Sequence, residues 1–222
     1  MEQRDTRTDP LERSEIARAA LALVDADGIE RFTMRRVAEA LGVTTMAVYH
    51  HFQNKAEVLQ AAADQVWIEA LLSVQEHDDP VESLIGGFLT VRRVFKKHPD
   101  ITTHAFSSHS ADDAMHLVSL GIANWFERAG LKGDRAGRAY FALATFTLGS
   151  ALIDAERAIL DRGIRGSVSE IGTFDVSALL SPGGSAETYR SLRDAMEGDP
   201  GLARFEQGLR DIMAGFHPGD PG

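Results

Sequence analysis

Cysteine is absent from the chain. That excludes a disulfide framework, a zinc–thiolate site and a thiol nucleophile. Although 44% of the 222 residues are hydrophobic, no run of about eighteen apolar residues occurs, so no membrane span is expected. The first residues, MEQRDTRTDPLERSE, are charged and polar, which reads against a secretory signal peptide and makes the cytoplasm the expected compartment. β-branched runs and hairpin signals are few, and the pattern is helical almost throughout. No glycine-rich phosphate loop, Gly-x-Ser-x-Gly elbow or His-Glu-x-x-His motif is present, so the common signatures of catalysis are missing.

An excess of basic residues is also missing. Lys and Arg number 23 against 33 Asp and Glu, a net charge of −10, whereas affinity for nucleic acid usually rests on cations neutralising phosphates. The acid is unevenly spread. Residues 1–55 hold eight Lys or Arg against nine Asp or Glu, and the remainder fifteen against twenty-four. A near-neutral head on an acidic body predicts weak nonspecific DNA binding and dependence on a dimer that doubles the contacts.

What is there lies in Thr33 to Leu59, TMRRVAEALGVTTMAVYHHFQNKAEVL. Val37, Ala38 and Leu41 share one face of a short helix, and Gly42 stands where that helix must stop with positive φ. Thr44 or Thr45 offers a hydroxyl to the next helix start. In that second helix Val48 and Phe52, four apart, point to the core, which leaves Thr45, Met46, Ala47, Tyr49 and His50 on or near the outer face. Such a helix fits the major groove of double-stranded DNA. Asn54 to Glu57 has capping-box spacing and opens a long helix. Lys55 therefore lies at a helix N-terminus, a favourable place for a phosphate. His51 is expected to pack near the turn.

These residues resemble the TetR family of bacterial transcriptional regulators. The match rests on Thr33, Val37-Ala38, Leu41-Gly42-Val43, Tyr49, His51-Phe52 and Asn54-Lys55. It extends back over the stripe Ile16, Ala20, Leu23 and Val24, which ends at Asp27-Gly28. The resemblance implies that Thr33, Tyr49 and Lys55 hold phosphates, and that Arg35, Thr44, Thr45, Met46, Ala47 and His50 line the groove. Arg36 joins the DNA-binding set. Met46 and Ala47 have no hydrogen-bonding side chain and can read only thymine methyls or shape, so Arg35 is the candidate for guanine.

The expected fold is all-α, an N-terminal three-helix helix-turn-helix DNA-binding domain followed by a larger helical ligand-binding and dimerisation domain. The expected divisions are a flexible N-terminus at 1–10, the DNA-binding domain at 11–58 and the helical domain at 59–217, with a flexible Gly- and Ser-rich loop at 163–185. Helices are expected from Ala56 to Glu76, Val81 to Lys97, Asp112 to Ala129 and Asp134 to Arg162, and a short one from Ile101 to Phe106. In the middle of the longest, Phe146 to Leu152 resembles the tetracycline-repressor branch of the same family. That likeness implies a homodimer built from Asp134–Leu160 and Leu202–Phe216.

Trp67, Phe88, Phe106, Trp125, Tyr140 and Phe141, with Met115 and Thr145, are the candidates to bind a hydrophobic or aromatic small-molecule effector. His104 stands by register where tetracycline repressors place a magnesium-holding histidine, which implies a possible divalent metal bound with the ligand; no cofactor is otherwise required. Leu71 stands where the family has its drug-binding histidine, so tetracycline itself is not implied. His98 is expected at the surface. The reading is a ligand-responsive regulator, a repressor released from a palindromic operator, rather than an enzyme. Its alternatives are a metal-dependent enzyme using His98, His104, His109 and His116 with Asp100, Asp112 and Asp113, and a DNA binder without a ligand.

Overall fold

A computed structural model of the chain describes residues 11–107, 121–163, 191 and 201–216, the side chains of Phe106 and Ser107 excepted. Segment 1–10 and most of the loop expected at 163–185 lie outside these residues, as do His109, Asp112, Asp113, Met115 and His116. Among the described residues every regular element is helical.

Helix α1 (Arg13–Asp27) buries Ile16, Ala17, Ala20, Leu21 and Val24 along one face, spaced three and four apart as a helix requires. It ends at Gly28, whose φ of 81° suits glycine. A single 3-10 turn leads into α2 (Met34–Leu41), a sharp bend into α3 (Thr45–His51), and then α4 (Lys55–Ser73). Helix α4 packs on α1 and buries Val58, Leu59, Ala62, Ala63 and Val66 in one apolar core that runs from the three N-terminal helices into the body through Trp67, Phe95, Ile101 and Ala151. The head is thus seated on the body by shared packing, and displacement of α4 or of the helix after α5 must be felt by α1.

Helix α5 (Pro80–Lys97) starts at Asp79, whose side chain accepts from the Val81 N–H, with Pro80 in the first turn where it costs no hydrogen bond. His98-Pro99 closes it, and α6 (Pro99–Ser107) turns away at once. Residues 121–128 form helix α7. The long α8 (Gly133–Gly163) and α9 (Gly201–Ala214) complete the body. A second core gathers Leu84, Ile85 and Phe88 of α5, Phe126 of α7, Leu143 of α8 and Phe205 and Leu209 of α9.

The longest helix departs from expectation in one respect. Gly133–Arg162 is long and apolar enough to cross a membrane by length and composition, with an 18-residue window of mean hydropathy 1.2, only 22% of it buried. Small and hydroxylated residues hide this from a search for unbroken apolar runs. The exposed apolar positions of the two last helices, Phe141, Ile153 and Leu160 on α8 and Leu202 on α9, form the kind of uncovered surface that a second copy of the chain buries.

Candidate functional site

The bend between α2 and α3 is set by Gly42, at φ 68° and ψ 27°, with its N–H returned to Ala38 and Glu39. Val43 N–H then bonds to Ala38 O at 3.0 Å, closing the helix end. Val37 and Ala38 of α2 are buried together with Val48 and Phe52, which are wholly shielded. This fixes one face of α3 inward. The opposite face is bare: Met46 is 65% exposed and Tyr49 47%. Thr44 and His50 are exposed beside them, and Thr45 and Ala47 are half-buried.

Both threonine caps are formed. Thr33 Oγ1 accepts from the Arg36 N–H at 3.3 Å, and Thr44 Oγ1 from the Ala47 N–H at 3.2 Å. Accepting leaves each hydroxyl its proton, so either can still donate to a phosphate oxygen. Asn54 Oδ1 caps α4 through the Glu57 N–H at 3.0 Å. The Glu57 carboxylate reaches back one residue further than the capping box predicts, to the Gln53 N–H at 2.9 Å. Lys55 is exposed on the first turn of α4, its Nζ 3.4 Å from Ile29 O and 5.5 Å from the Phe32 ring centre.

The two arginines of α2 differ. Arg35 is exposed, with Glu39 3.4 Å away as a helix-surface ion pair, an arrangement weak enough to yield to a nucleic acid. Arg36 is committed internally: Nη2 lies 2.5 Å from Asp27 Oδ2 and Nη1 donates to Arg31 O at 3.2 Å, which ties α2 to the end of α1. Sequence reasoning missed that tie, and it missed Arg13, which donates to His51 O and stacks 4.0 Å over Phe52. His51 is half-buried beneath it.

The body holds a cavity of about 330 Å³ between the end of α4, α5 and α7, walled by Leu71, Val74, Leu84, Phe88, Ile122 and Trp125 among others. Glu76, the one ionisable residue among the described lining, is paired with Arg128 at 2.5 Å. Gly87 matters to its shape, since a Cβ there would lie 3.4 Å from the Trp125 ring. Phe88 and Trp125, two of the expected ligand residues, line this cavity. Trp67 and Tyr140 instead border a smaller chamber behind Phe88, of about 20 Å³, with Trp67 edge-on to Phe95 at 4.6 Å.

Other candidates are not brought to the cavity. Phe141 is 72% exposed and Thr145 is exposed, because the helical turn carries them to the outward side of α8. His104 faces a separate cleft of about 520 Å³ lined by Ile29, Lys55, Asp100 and Ile159. Burial, then the nearby Lys55 charge, lowers its pKa below the ordinary 6.5. Met115 and the Phe106 side chain lie outside the described residues. No group of three or more His, Cys, Asp or Glu suited to a metal occurs among the described residues.

His98, expected at the surface, is buried. Its Nδ1 is 2.7 Å from Asp25 of α1 and its Nε2 3.2 Å from Glu69 of α4. Next to it, Asp100 Oδ1 accepts from the Ile29 N–H at 3.5 Å and Oδ2 from Arg162 at 2.6 Å. The α5–α6 corner is thus tied to the head by the His98–Asp25 pair and the bond from the Ile29 N–H to Asp100.

Known proteins share this organisation. Residues 16–62 match the family described as bacterial regulatory proteins, tetR family. The chain is 31% identical to the tetracycline repressor protein class A from transposon 1721 of Escherichia coli over 93% of its own length and 90% of that protein's. It superposes on apo ActR from Streptomyces coelicolor with a TM-score of 0.67 at 24% identity, over 95% and 96% of the two chains. It superposes on BioQ bound to its double-stranded DNA operator with a TM-score of 0.55 at 25% identity, over 69% and 93%. With the helix-turn-helix geometry and 31% identity to a tetracycline repressor over nearly its full length, the chain belongs to the TetR family of dimeric, ligand-responsive, DNA-binding transcriptional regulators.

Proposed function

We propose that the chain is a repressor that sits as a homodimer on a palindromic operator in the cytoplasm and is released by an uncharged, largely aromatic effector. The observation that carries this reading is the exposed face of α3. Met46, Tyr49 and His50 point away from a fully buried Val48–Phe52 seam, and no packing need accounts for large side chains there. Thr33, Tyr49 and Lys55 contact phosphates. Arg35, Thr44, Thr45, Met46, Ala47 and His50 face the groove, with Arg35 on guanine. Arg36 acts one step back, holding α2 through Asp27.

The effector enters the cavity beside Trp125. Phe88 and Val91 of α5 line it, and α5 continues directly into the His98-to-Asp100 contacts with the head. Segment 95–106 is therefore the coupling element. A ligand that favours one placement of α5 over another shifts the spacing of the two heads, and operator and effector weaken each other's binding by the same factor. The reading calls for no cofactor.

Selection from random duplexes with the purified protein, followed by anisotropy on the enriched site, tests the proposal. The expected result is a two-fold symmetric site with half-sites about 34–36 Å apart, or a multiple of that. Tyr49→Ala and Lys55→Ala should each weaken binding by about 1–3 kcal/mol. Enrichment of no site, or wild-type affinity in both variants, overturns it.

A further inference from the structure

Arg13 opens α1 at a position its own helix does not favour. A cation in the first turn meets the positive end of the helix dipole, and the cap residue Glu12 makes no side-chain bond to the N–H groups there. The guanidinium is engaged elsewhere. It donates to His51 O, 38 residues away, and lies 4.0 Å over the ring of Phe52. His51 is the last residue of α3, so the acceptor is one of the carbonyls that a helix end leaves without an internal partner. The positive charge there also complements the negative end of the α3 dipole.

Helix α3 depends on such outside support, because its seven residues are too few to hold a helix in water on their own. Its N-terminal end is closed by Thr44, and it packs chiefly on α2. The buried Val48–Phe52 seam decides which face turns inward but leaves the tilt of so short a helix to its ends. Arg13 supplies the hold at the C-terminal end. It does so from α1, the same helix that carries Asp25 and its contact with His98.

Tilt matters to one part of DNA binding only. A productive recognition geometry tolerates displacements of about 0.5 Å and 10–20°, whereas phosphate contacts carry no sequence information and supply the nonspecific affinity. We propose that Arg13 is a positioning residue for operator recognition, which touches no DNA and sets the tilt of α3 by holding its His51 carbonyl end against α1. The inference rests on α3 as the recognition helix, and the experiment separates the two claims.

Anisotropy on the enriched operator and on an unrelated duplex, over a range of salt and at a temperature where every protein is folded, provides the test for wild type, Arg13→Met, Arg13→Lys and Tyr49→Ala. Methionine keeps an apolar stem over Phe52 without the donor, and lysine keeps a cationic donor. Arg13→Met should lose about tenfold in operator affinity, with affinity for the unrelated duplex within about twofold of wild type and the salt dependence unchanged. Arg13→Lys should return operator affinity to within about threefold of wild type. Wild-type operator affinity in Arg13→Met, whatever its melting temperature, reduces Arg13 to a stabilising contact and overturns the proposal. Equal losses on both duplexes, with a salt slope shallower by about two for a dimer, make Arg13 a phosphate ligand and overturn it as well. Both of those outcomes leave α3 as the recognition helix. Wild-type operator affinity in Tyr49→Ala removes that reading of α3, and this inference with it.

Discussion

The Nδ1 atom of His98 lies 2.7 Å from the carboxylate of Asp25, joining the α5–α6 corner to the first helix of the DNA-binding head. Burial opposes the charged imidazolium, but the hydrogen bonds and charges of Asp25 and then Glu69 outweigh it, and the His98 pKa is raised above its ordinary 6.5. Glu69 is shifted the other way, lowered chiefly by its hydrogen bond from Lys97 and further by His98. A raised folded-state pKa means that the histidine's contribution is whole below its unfolded pKa and lost as pH climbs through the folded value. His98→Gln should therefore cost about 1–2 kcal/mol near pH 6, and wild type and variant should converge towards pH 9. Denaturant titrations across that range check this; a gap that is constant with pH would rule out a protonated clasp.

The same histidine marks where the sequence stopped being legible. The helix-turn-helix was accessible because its determinants are local: Gly42 four residues beyond Ala38, Val48 four before Phe52, Asn54 three before Glu57. Each sits within one or two helical turns of its partner, where periodicity and capping rules apply. The partners of His98 lie 73 and 29 residues away, and no periodicity carries such information. Phe141 and Thr145 illustrate a second limit. An α8 that is apolar on several sides does not reveal which stripe faces its own core and which faces outward, so candidates for the ligand site were drawn from both. The commitment of Arg36 to Asp27 was hidden for a related reason, since two adjacent arginines look alike until the end of α1 is placed beside one of them.

Arg35 and Arg36 should separate cleanly on mutation. Arg35 is exposed and only weakly paired with Glu39, so Arg35→Ala should leave the melting temperature unchanged while costing about 1–3 kcal/mol at one base position of the operator. Arg36→Ala removes the contacts to Asp27 and Arg31 O. It should destabilise the protein by about 1 kcal/mol and weaken binding to all sites alike. Anisotropy on single-base operator variants, with thermal melts of both proteins, distinguishes the two; reversed phenotypes would exchange their roles.

Gly42 offers a test of the turn itself. A Cβ at this position would meet no atom within 4 Å, so the cost of Gly42→Ala comes from φ of 68° alone. About 1 kcal/mol of stability should be lost, with operator affinity reduced to the extent that α3 tilts. Chemical denaturation gives the first quantity and anisotropy the second. An unchanged stability would mean that the bend does not hold its left-handed conformation in solution.

Deep in the body, Arg92 of α5 and Asp154 of α8 form an ion pair at 2.7 Å with both side chains 4% exposed. Arg92 Nε also donates to Ser150 Oγ at 2.9 Å, and its guanidinium lies 4.7 Å over the Phe205 ring, so one side chain joins α5, α8 and α9. Removing either charge strands the other in a poorly solvated place, which costs about 3–5 kcal/mol, whereas replacing both with apolar groups of similar volume is often near neutral. Arg92→Met and Asp154→Leu should each be strongly destabilising, and the double variant should recover most of the loss. Equilibrium unfolding of all four proteins gives the coupling energy directly. Additive losses would show that the two charges are solvated independently, and that α5 and α8 are held together by their apolar contacts alone.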